Sequence, residues 1–162
     1  MYIRPRQLAN FFLAILAILL PAFSQVGKSE LNTTVCKLAE HPERYSRRLV
    51  RVRAFVSSDL VHMTVLVNQA CDNVGAALDF TEEEEGRRPI SLIKDQSFRD
   101  LQGLHRRILE LRLNGQNIYG TFEGLFEWHE GKIPSRVLVL HRVTNLYVGN
   151  RDDPKFALRD EY

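Results

Sequence analysis

The order of strand-like and helix-like segments constrains the fold of this chain most. An amphipathic helix at 97–113 stands between three runs of alternating apolar and polar residues and two further runs. These strand-like runs lie at 49–57, 61–68, 74–80, 117–128 and 136–148. Three strands, one helix and two strands fit a small closed barrel with the helix over one end. We therefore predict a mainly β fold, a five-stranded barrel in the order β-β-β-α-β-β, with a short N-terminal helix.

The run LVRVRAFVS is the clearest strand. Apolar residues at every second position share one side, while Arg51, Arg53 and Phe55 share the other. With Arg47 and Arg48 just before the strand, the arginines predict a basic patch that could bind an anion. The alternative interpretation is a solvated strand face, on which long side chains lie over their neighbours.

The next two strand-like runs repeat the alternation. One apolar side of the run 61–68 carries Val61, Met63, Val65 and Val67, and one side of the run 74–80 carries Val74, Ala76, Leu78 and Phe80. The other side of the run 74–80 holds Gly75 and Ala77. Their small size predicts close approach by another element.

Local signals delimit the helix and bend the strand that follows it. Ser97 with Asp100 resembles a capping box at the start of the helix, and an Asn-Gly pair ends it. In the strand 117–128, Gly120 and Gly124 stand between large apolar residues. Glycine weakens a strand, so two at this spacing predict a bend or bulge at a corner of the barrel.

The first 24 residues have a different character from the rest. Arg4 and Arg6 precede an apolar run at 11–23, which ends in the small-x-small sequence Ala-Phe-Ser. We predict a signal peptide at 1–24, a polar leader at 25–32, the barrel domain at 33–148 and a charged, fraying tail at 149–162. The alternative is an uncleaved anchor, but the run is shorter than the roughly 20 apolar residues of a spanning helix. No stable membrane span is therefore expected after cleavage.

Cleavage at this point would leave a neutral protein. The chain has 22 Lys and Arg against 20 Asp and Glu, and residues 1–24 contain two arginines and no acid. Nucleic-acid binders depend on neutralising phosphates and usually carry an overall basic charge. Nucleic acid is therefore not the expected ligand, although a local basic patch remains compatible with the composition.

Two cysteines remain after export, Cys36 and Cys71. In a secreted or periplasmic protein an even number of cysteines favours a disulfide, here between the segment before the first strand and the turn after the second. The alternative is two buried free thiols. A zinc site is not predicted, since neither cysteine has another Cys or a His two to four residues away.

Several sequence stretches carry a family resemblance. CKLAEHPERYSRRLVRVRAFV, the cysteine after the second strand, GTFEG and RVLVLHRVTNL together resemble the OB-fold-like domains of exported bacterial proteins of unknown function. The resemblance covers about residues 35–148. It implies an OB-like barrel and brings no catalytic residue and no cofactor.

The expected function is that of an exported, non-catalytic binding module. Its partner would be an envelope or extracellular protein, or an oligomeric ligand, bound on the barrel face. Phe55, Tyr119, Phe126 and Trp128 could stack on a ligand beside the arginines. The alternative is that most of these rings fill the barrel. The expected ligand-binding residues are Arg47, Arg48, Arg51, Arg53, Phe55 and Trp128.

A secreted nuclease-like or other metal-dependent hydrolase is the alternative function. Its candidate groups are Asp59, Asp79 and Glu123 with Arg51 or Arg53. None of the five histidines has a paired spacing such as HExxH, and no metal site is predicted. His62, His129 and His141 would meet only if the barrel brought their strands together.

The signal-peptide prediction is tested by the N-terminus of the exported protein. We expect the mature chain to begin at or near Gln25, because the small-x-small sequence ends at Ser24. N-terminal sequencing of the protein from the envelope or medium measures this. Recovery of Met1 from a membrane fraction would contradict it.

Overall fold

The computed structural model describes residues 30–58, 63–71, 74–80 and 89–150. Its strands are β1 (Leu31–Thr34), β2 (Arg48–Ser58), β3 (Thr64–Val67), β4 (Gly75–Asp79), β5 (Gln116–Trp128) and β6 (Arg136–Asn150). Its helices are α1 (Val35–Glu40), α2 (Pro42–Tyr45), α3 (Gln96–Arg106) and α4 (Ile108–Leu113). None of the helices in these ranges has the length and hydropathy to cross a membrane. The predicted signal peptide and residues 151–162 of the tail lie outside the described ranges.

Five strands form a closed barrel. The pairing runs β2-β3-β4-β6-β5 and returns to β2, which pairs with β5 from Arg48 to Val56. β4 and β6 are parallel, and the other barrel neighbours are antiparallel. The helices α3 and α4 lie between β4 and β5 along the chain. This confirms the predicted OB-like barrel and its β-β-β-α-β-β order.

The core follows from alternation along β2 and β5. Four β2 side chains, Val50, Val52, Ala54 and Val56, are almost completely buried. Ile118, Phe122 and Phe126 of β5 and Leu138, Leu140 and Val143 of β6 complete the interior. Branched and aromatic side chains suit such a pleated, half-buried surface. Phe98 and Leu101 of α3 and Ile108 and Leu111 of α4 join the same core.

β3 turns toward the core the side opposite to the one that its alternation suggests. Its Leu66 is fully buried and pairs with the inward residue Val56. Val65 and Val67 therefore point outward, although both are apolar. All positions from 65 to 67 are apolar, so the pattern alone fixes no side, and pairing with β2 decides it.

An unpredicted strand precedes the barrel. β1 lies parallel to β2, with Leu31 opposite Val50 and Thr34 opposite Arg53. It occupies the part of the β2 edge that β3, which pairs only with residues 55–58, leaves open. The polar leader predicted at 25–32 is therefore partly strand, and regular structure begins two residues before the predicted domain boundary.

The predicted disulfide is confirmed. Cys36 in α1 is bonded to Cys71 in the short 3-10 turn that follows β3, with the two Cα atoms 5.4 Å apart. Thr34 caps α1, since its side chain accepts a hydrogen bond from the Lys37 amide at 3.2 Å. Cap and bridge together fix the segment that joins β1 to the barrel.

The helical segment differs in detail from its prediction. Asp95, not Ser97, is the cap of α3 and accepts from the Phe98 amide at 3.1 Å. The helix breaks at Arg107, whose φ of −105° and ψ of 11° end α3 before α4 begins. Gly115 lies at φ 69° and ends α4, as the Asn-Gly pair predicts.

Both predicted strand glycines lie at irregularities between β5 and β6. The register shifts by one residue of β6 between Glu123 and Gly124, and shifts again between Tyr119 and Thr121. A Cβ atom on Gly124 would overlap the carbonyl of Val139 on β6. The bulges predicted from Gly120 and Gly124 are therefore present, and the close approach explains the second glycine.

Gly124→Ala tests this close approach. We expect a loss of about 1–3 kcal/mol in the free energy of unfolding, because the methyl group would displace the β6 backbone. Gly103→Ala is the matched control, since nothing lies within 4 Å of a Cβ at that helical position. It should be neutral or stabilise by up to about 1 kcal/mol. Urea denaturation of both variants measures the difference, and equal midpoints would contradict the prediction.

Candidate functional site

The outer face of β2, β5 and β6 carries cross-strand rows of side chains. One row, the aromatic row, consists of Phe55, Tyr119 and Tyr147, which lie opposite one another. Another, the charged row, consists of Arg51, Glu123 and Arg142 in the same arrangement. The rows run across the three strands, and neighbouring rows lie two residues apart along β2 and β5.

The aromatic row is closely packed. The Tyr119 and Tyr147 rings are stacked, with centroids 5.3 Å apart and planes 6° apart. Phe55 lies tilted against Tyr119 at 5.8 Å. Tyr119 is buried and its hydroxyl donates to the Asn150 carbonyl at 3.4 Å, whereas Tyr147 is 38% exposed. The exposed ring of Tyr147 is thus held in place by the buried ring of Tyr119.

The charged row is an ion-pair network. Both Nε and Nη2 of Arg51 donate to one oxygen of Glu123, the first at 2.9 Å. Arg51 also contacts the Glu30 carboxylate at 3.1 Å. Glu123 is buried, so its carboxylate needs a hydrogen-bonding partner, which this guanidinium supplies. At the other end of the row, Arg142 lies 3.8 Å from Asp95, the residue that caps α3.

The pKa of Glu30 is raised in this network. Burial raises the pKa of Glu30, and the neighbouring Glu123 carboxylate raises it further. Arg51 and His141 act in the opposite direction but do not cancel these effects. Ion-pair geometry alone would favour a charged Glu30, yet Arg51 is already engaged by Glu123. Arg51 is therefore shared between two carboxylates, and its charge is largely compensated.

The six residues predicted to bind ligand do not form one site. Arg51, Arg53 and Phe55 lie on the outer face of β2. Arg47 and Arg48 lie at the start of β2, where Arg47 adopts φ 61° and its amide donates to the Phe126 carbonyl at 2.7 Å. The predicted basic patch is therefore spread along the strand, and compensation of Arg51 divides it.

Trp128 also lies away from the aromatic row. It is near the end of β5 opposite Arg136, on the inward side, and packs against the core. Phe126 is fully buried and fills the barrel. Of the four rings considered for stacking, only Phe55 and Tyr119 belong to the outer face. Tyr147 is the ring that the sequence did not single out.

A pocket adjoins the aromatic row at Phe55. This terminal pocket has a volume of about 290 Å³ and lies between the end of β2, the outer side of β3 and the turn that joins α4 to β5. Its lining consists of Phe55, Ser57, Val65, Val67, Arg112, Gly115, Gln116 and Asn117. Arg112 was not among the predicted site residues, and the two valines were not predicted to face outward.

The histidines have separate local partners. His105 lies 2.8 Å from the Thr64 hydroxyl and edge-on to Phe80, and burial lowers the pKa of its ring. His129 contacts Glu127, while Nδ1 of His141 lies 2.6 Å from the Ser91 carbonyl oxygen. His62 lies outside the described ranges.

The groups proposed for a hydrolase are not gathered either. Glu123 is engaged by Arg51, Asp79 is the last residue of β4, and Asp59 lies outside the described ranges. In the part of the chain that the structure describes, no group of three His, Cys, Asp or Glu side chains could hold a metal ion.

Comparisons with other proteins give no match. No family model, no characterised protein and no solved structure is found to be similar to this chain.

Arg51→Ala tests the charged row. Removing the guanidinium leaves the buried Glu123 carboxylate unpaired, so we expect a loss of about 1–3 kcal/mol in the free energy of unfolding. Arg48→Ala, at an exposed position of the same strand, should change it by less than about 0.5 kcal/mol.

A double variant separates the ion pair from packing. Arg51→Met with Glu123→Leu removes both charges and should recover much of the lost stability. Chemical denaturation measures all of these variants. An Arg51→Ala protein as stable as the parent would show that the charged row does not stabilise the barrel.

Proposed function

We propose that this chain is an exported, non-catalytic binding module that acts in the periplasm or outside the cell. Its binding surface is the outer face of β2, β5 and β6, and its ligand is a protein partner or an oligomeric ligand of the envelope. The aromatic row makes the central contact. Arg53, one row away on β2, provides a polar flank.

The observation that carries this proposal is the aromatic row itself. Tyrosine is enriched at protein interfaces because its rigid ring buries a large area at low entropic cost. Tyr147 is stacked on a buried, hydrogen-bonded Tyr119. Its ring is therefore already held in place, and binding of a partner would cost little side-chain entropy. Phe55 is partly exposed and Tyr147 is 38% exposed, so the row presents ring surface on both sides of the buried Tyr119.

The charge distribution supports a ligand other than nucleic acid. Affinity for nucleic acid comes mainly from uncompensated cations that displace counterions from phosphates. Arg51 lies at the centre of the face and is engaged by Glu123 and Glu30. Any binding of single-stranded DNA or RNA would therefore be weak and would collapse as salt rises.

Export is supported by the disulfide and by the N-terminal sequence. A bridge between Cys36 and Cys71 persists in oxidising compartments such as the periplasm or the extracellular space. The basic and apolar pattern at 1–24 is typical of a secretory signal.

The proposal is tested by capture of a partner from the envelope. The oxidised protein is immobilised, the retained molecules are identified, and each is purified and titrated against the protein. Tyr147→Ala should lower the affinity of the true partner by about tenfold or more, as interface anchors do. Ile133→Ala is the matched control, because Ile133 is 94% exposed but lies in the loop between β5 and β6.

Two results would overturn the proposal. One is a partner whose affinity is unchanged in both Phe55→Ala and Tyr147→Ala. The other is metal-dependent hydrolysis of nucleic acid or another substrate by the purified protein, lost in Glu123→Gln, which would favour the hydrolase alternative.

A further inference from the structure

We propose that the terminal pocket binds a carboxylate that bears an apolar group of side-chain size. The carboxylate pairs with Arg112, and the apolar group lies against Phe55, Val65 and Val67. The inference rests on the proposed function, because it names the chemical group that the binding face recognises at the end of the aromatic row.

The apolar wall comes from residues that would otherwise be expected in the core. Pairing of β3 with β2 sends Leu66 inward and leaves Val65 and Val67 on the outer side, beside Phe55. Val65 and Phe55 are partly exposed, and Val67, which is 6% exposed, completes the apolar wall of the pocket. Such a surface gains free energy when an apolar group covers it.

Arg112 supplies the polar end. Its Nη1 donates to the Ser58 carbonyl at 3.2 Å, which anchors the guanidinium at the end of β2. Among the described residues that line the pocket, Arg112 is the one cation and there is no carboxylate. Arg112 thus differs from Arg51, whose charge two acids compensate. An anchored guanidinium next to amides of Gln116 and Asn117 suits a carboxylate, which accepts several hydrogen bonds at once.

The size of the pocket limits the ligand. A volume of about 290 Å³ is just below the range of roughly 300–1,000 Å³ that small-molecule pockets span. One side chain and its carboxylate fit this limit, but a larger ligand would have to continue along the aromatic row. Two sources share this chemistry, namely the C-terminal residue of a polypeptide and a small free carboxylic acid.

Titration of isotope-labelled, oxidised protein by NMR tests the inference. The probes are 3-phenylpropionate, the neutral 3-phenylpropionamide, and the tripeptide Gly-Gly-Phe with either a free or an amidated C-terminus. We expect shifts centred on the backbone amides of the pocket residues, and affinity about tenfold higher for each carboxylate than for its amide. A tenfold ratio corresponds to about 1.4 kcal/mol.

Variants test whether Arg112 is the residue that recognises the carboxylate. Arg112→Gln should abolish the preference for carboxylate over amide, while Arg106→Gln, an exposed arginine of α3, should retain it. If Arg112→Gln is poorly folded, Val67→Phe, which fills the pocket, should block both carboxylates and leave the spectrum outside the pocket intact.

The outcomes distinguish sources and failures. Tighter binding of the free tripeptide than of phenylpropionate assigns the site to a polypeptide C-terminus, and equal binding assigns it to a small acid. Equal affinity for carboxylate and amide, or no shifts at millimolar probe, overturns the inference even if a partner sensitive to Tyr147→Ala exists. Carboxylate binding without such a partner would instead refute only the proposed function.

Discussion

The pairing of β5 with β6 depends on the absence of a side chain at Gly124, where the backbone of β6 lies closest. Val139 places its carbonyl where any other residue would carry a Cβ. Just beyond this contact the register changes, so that His141 is the extra residue on β6. Its free backbone oxygen accepts from the Ile93 amide at 2.7 Å, and the bulge is therefore satisfied by the segment that leads into α3.

The two bulges decide which side chains reach the outer face. The first returns Arg142 to a position opposite Glu123, and the second, where Asn145 adopts φ 51°, places Tyr147 opposite Tyr119. Without the second bulge, alternation along β6 would exchange Tyr147 with its neighbour and turn the tyrosine toward the interior. The aromatic row is thus a product of strand geometry as much as of composition.

Two arginines, Arg51 and Arg112, differ in whether neighbouring acids compensate their charge. Arg51 is surrounded by acids that extend from β1 to β5, and the charged row ends at the helix cap Asp95. These pairs connect the β1 segment, the barrel and α3. Arg112 is held instead by a backbone carbonyl, and no described residue that lines its pocket is an acid. An arginine with a structural role and one suited to a ligand therefore lie on the same small domain.

Much of this fold can be predicted from the sequence, because apolar and polar residues alternate along β2 and because Gly120 and Gly124 indicate bulges. The disulfide also follows from cysteine number and compartment, and the structure confirms it. β1 is not readable, since its four residues, LNTT, pair only because β3 is too short to cover the edge of β2.

The proposed binding face is less predictable than the fold. The outward side of Val65 and Val67 is set by register, and the position of Tyr147 is set by the extra residue of β6 opposite Gly120, whose place on β6 no local motif identifies. Trp128 was expected in the site because tryptophan suits stacking. The alternation of side chains along β5 turns it toward the core instead. Such features depend on pairing between distant segments, which composition and periodicity do not encode.

The place of the disulfide determines how this protein would bear mechanical load. A pull on the N-terminal side of Leu31 would first peel β1, whose four residues hold the edge of β2 by parallel pairing. The force would then reach Cys36 and pass through the bridge to Cys71. Because the bridge closes a covalent loop over residues 36–71, β2 and β3 within that loop could not be drawn out into extended chain while the bond remained intact.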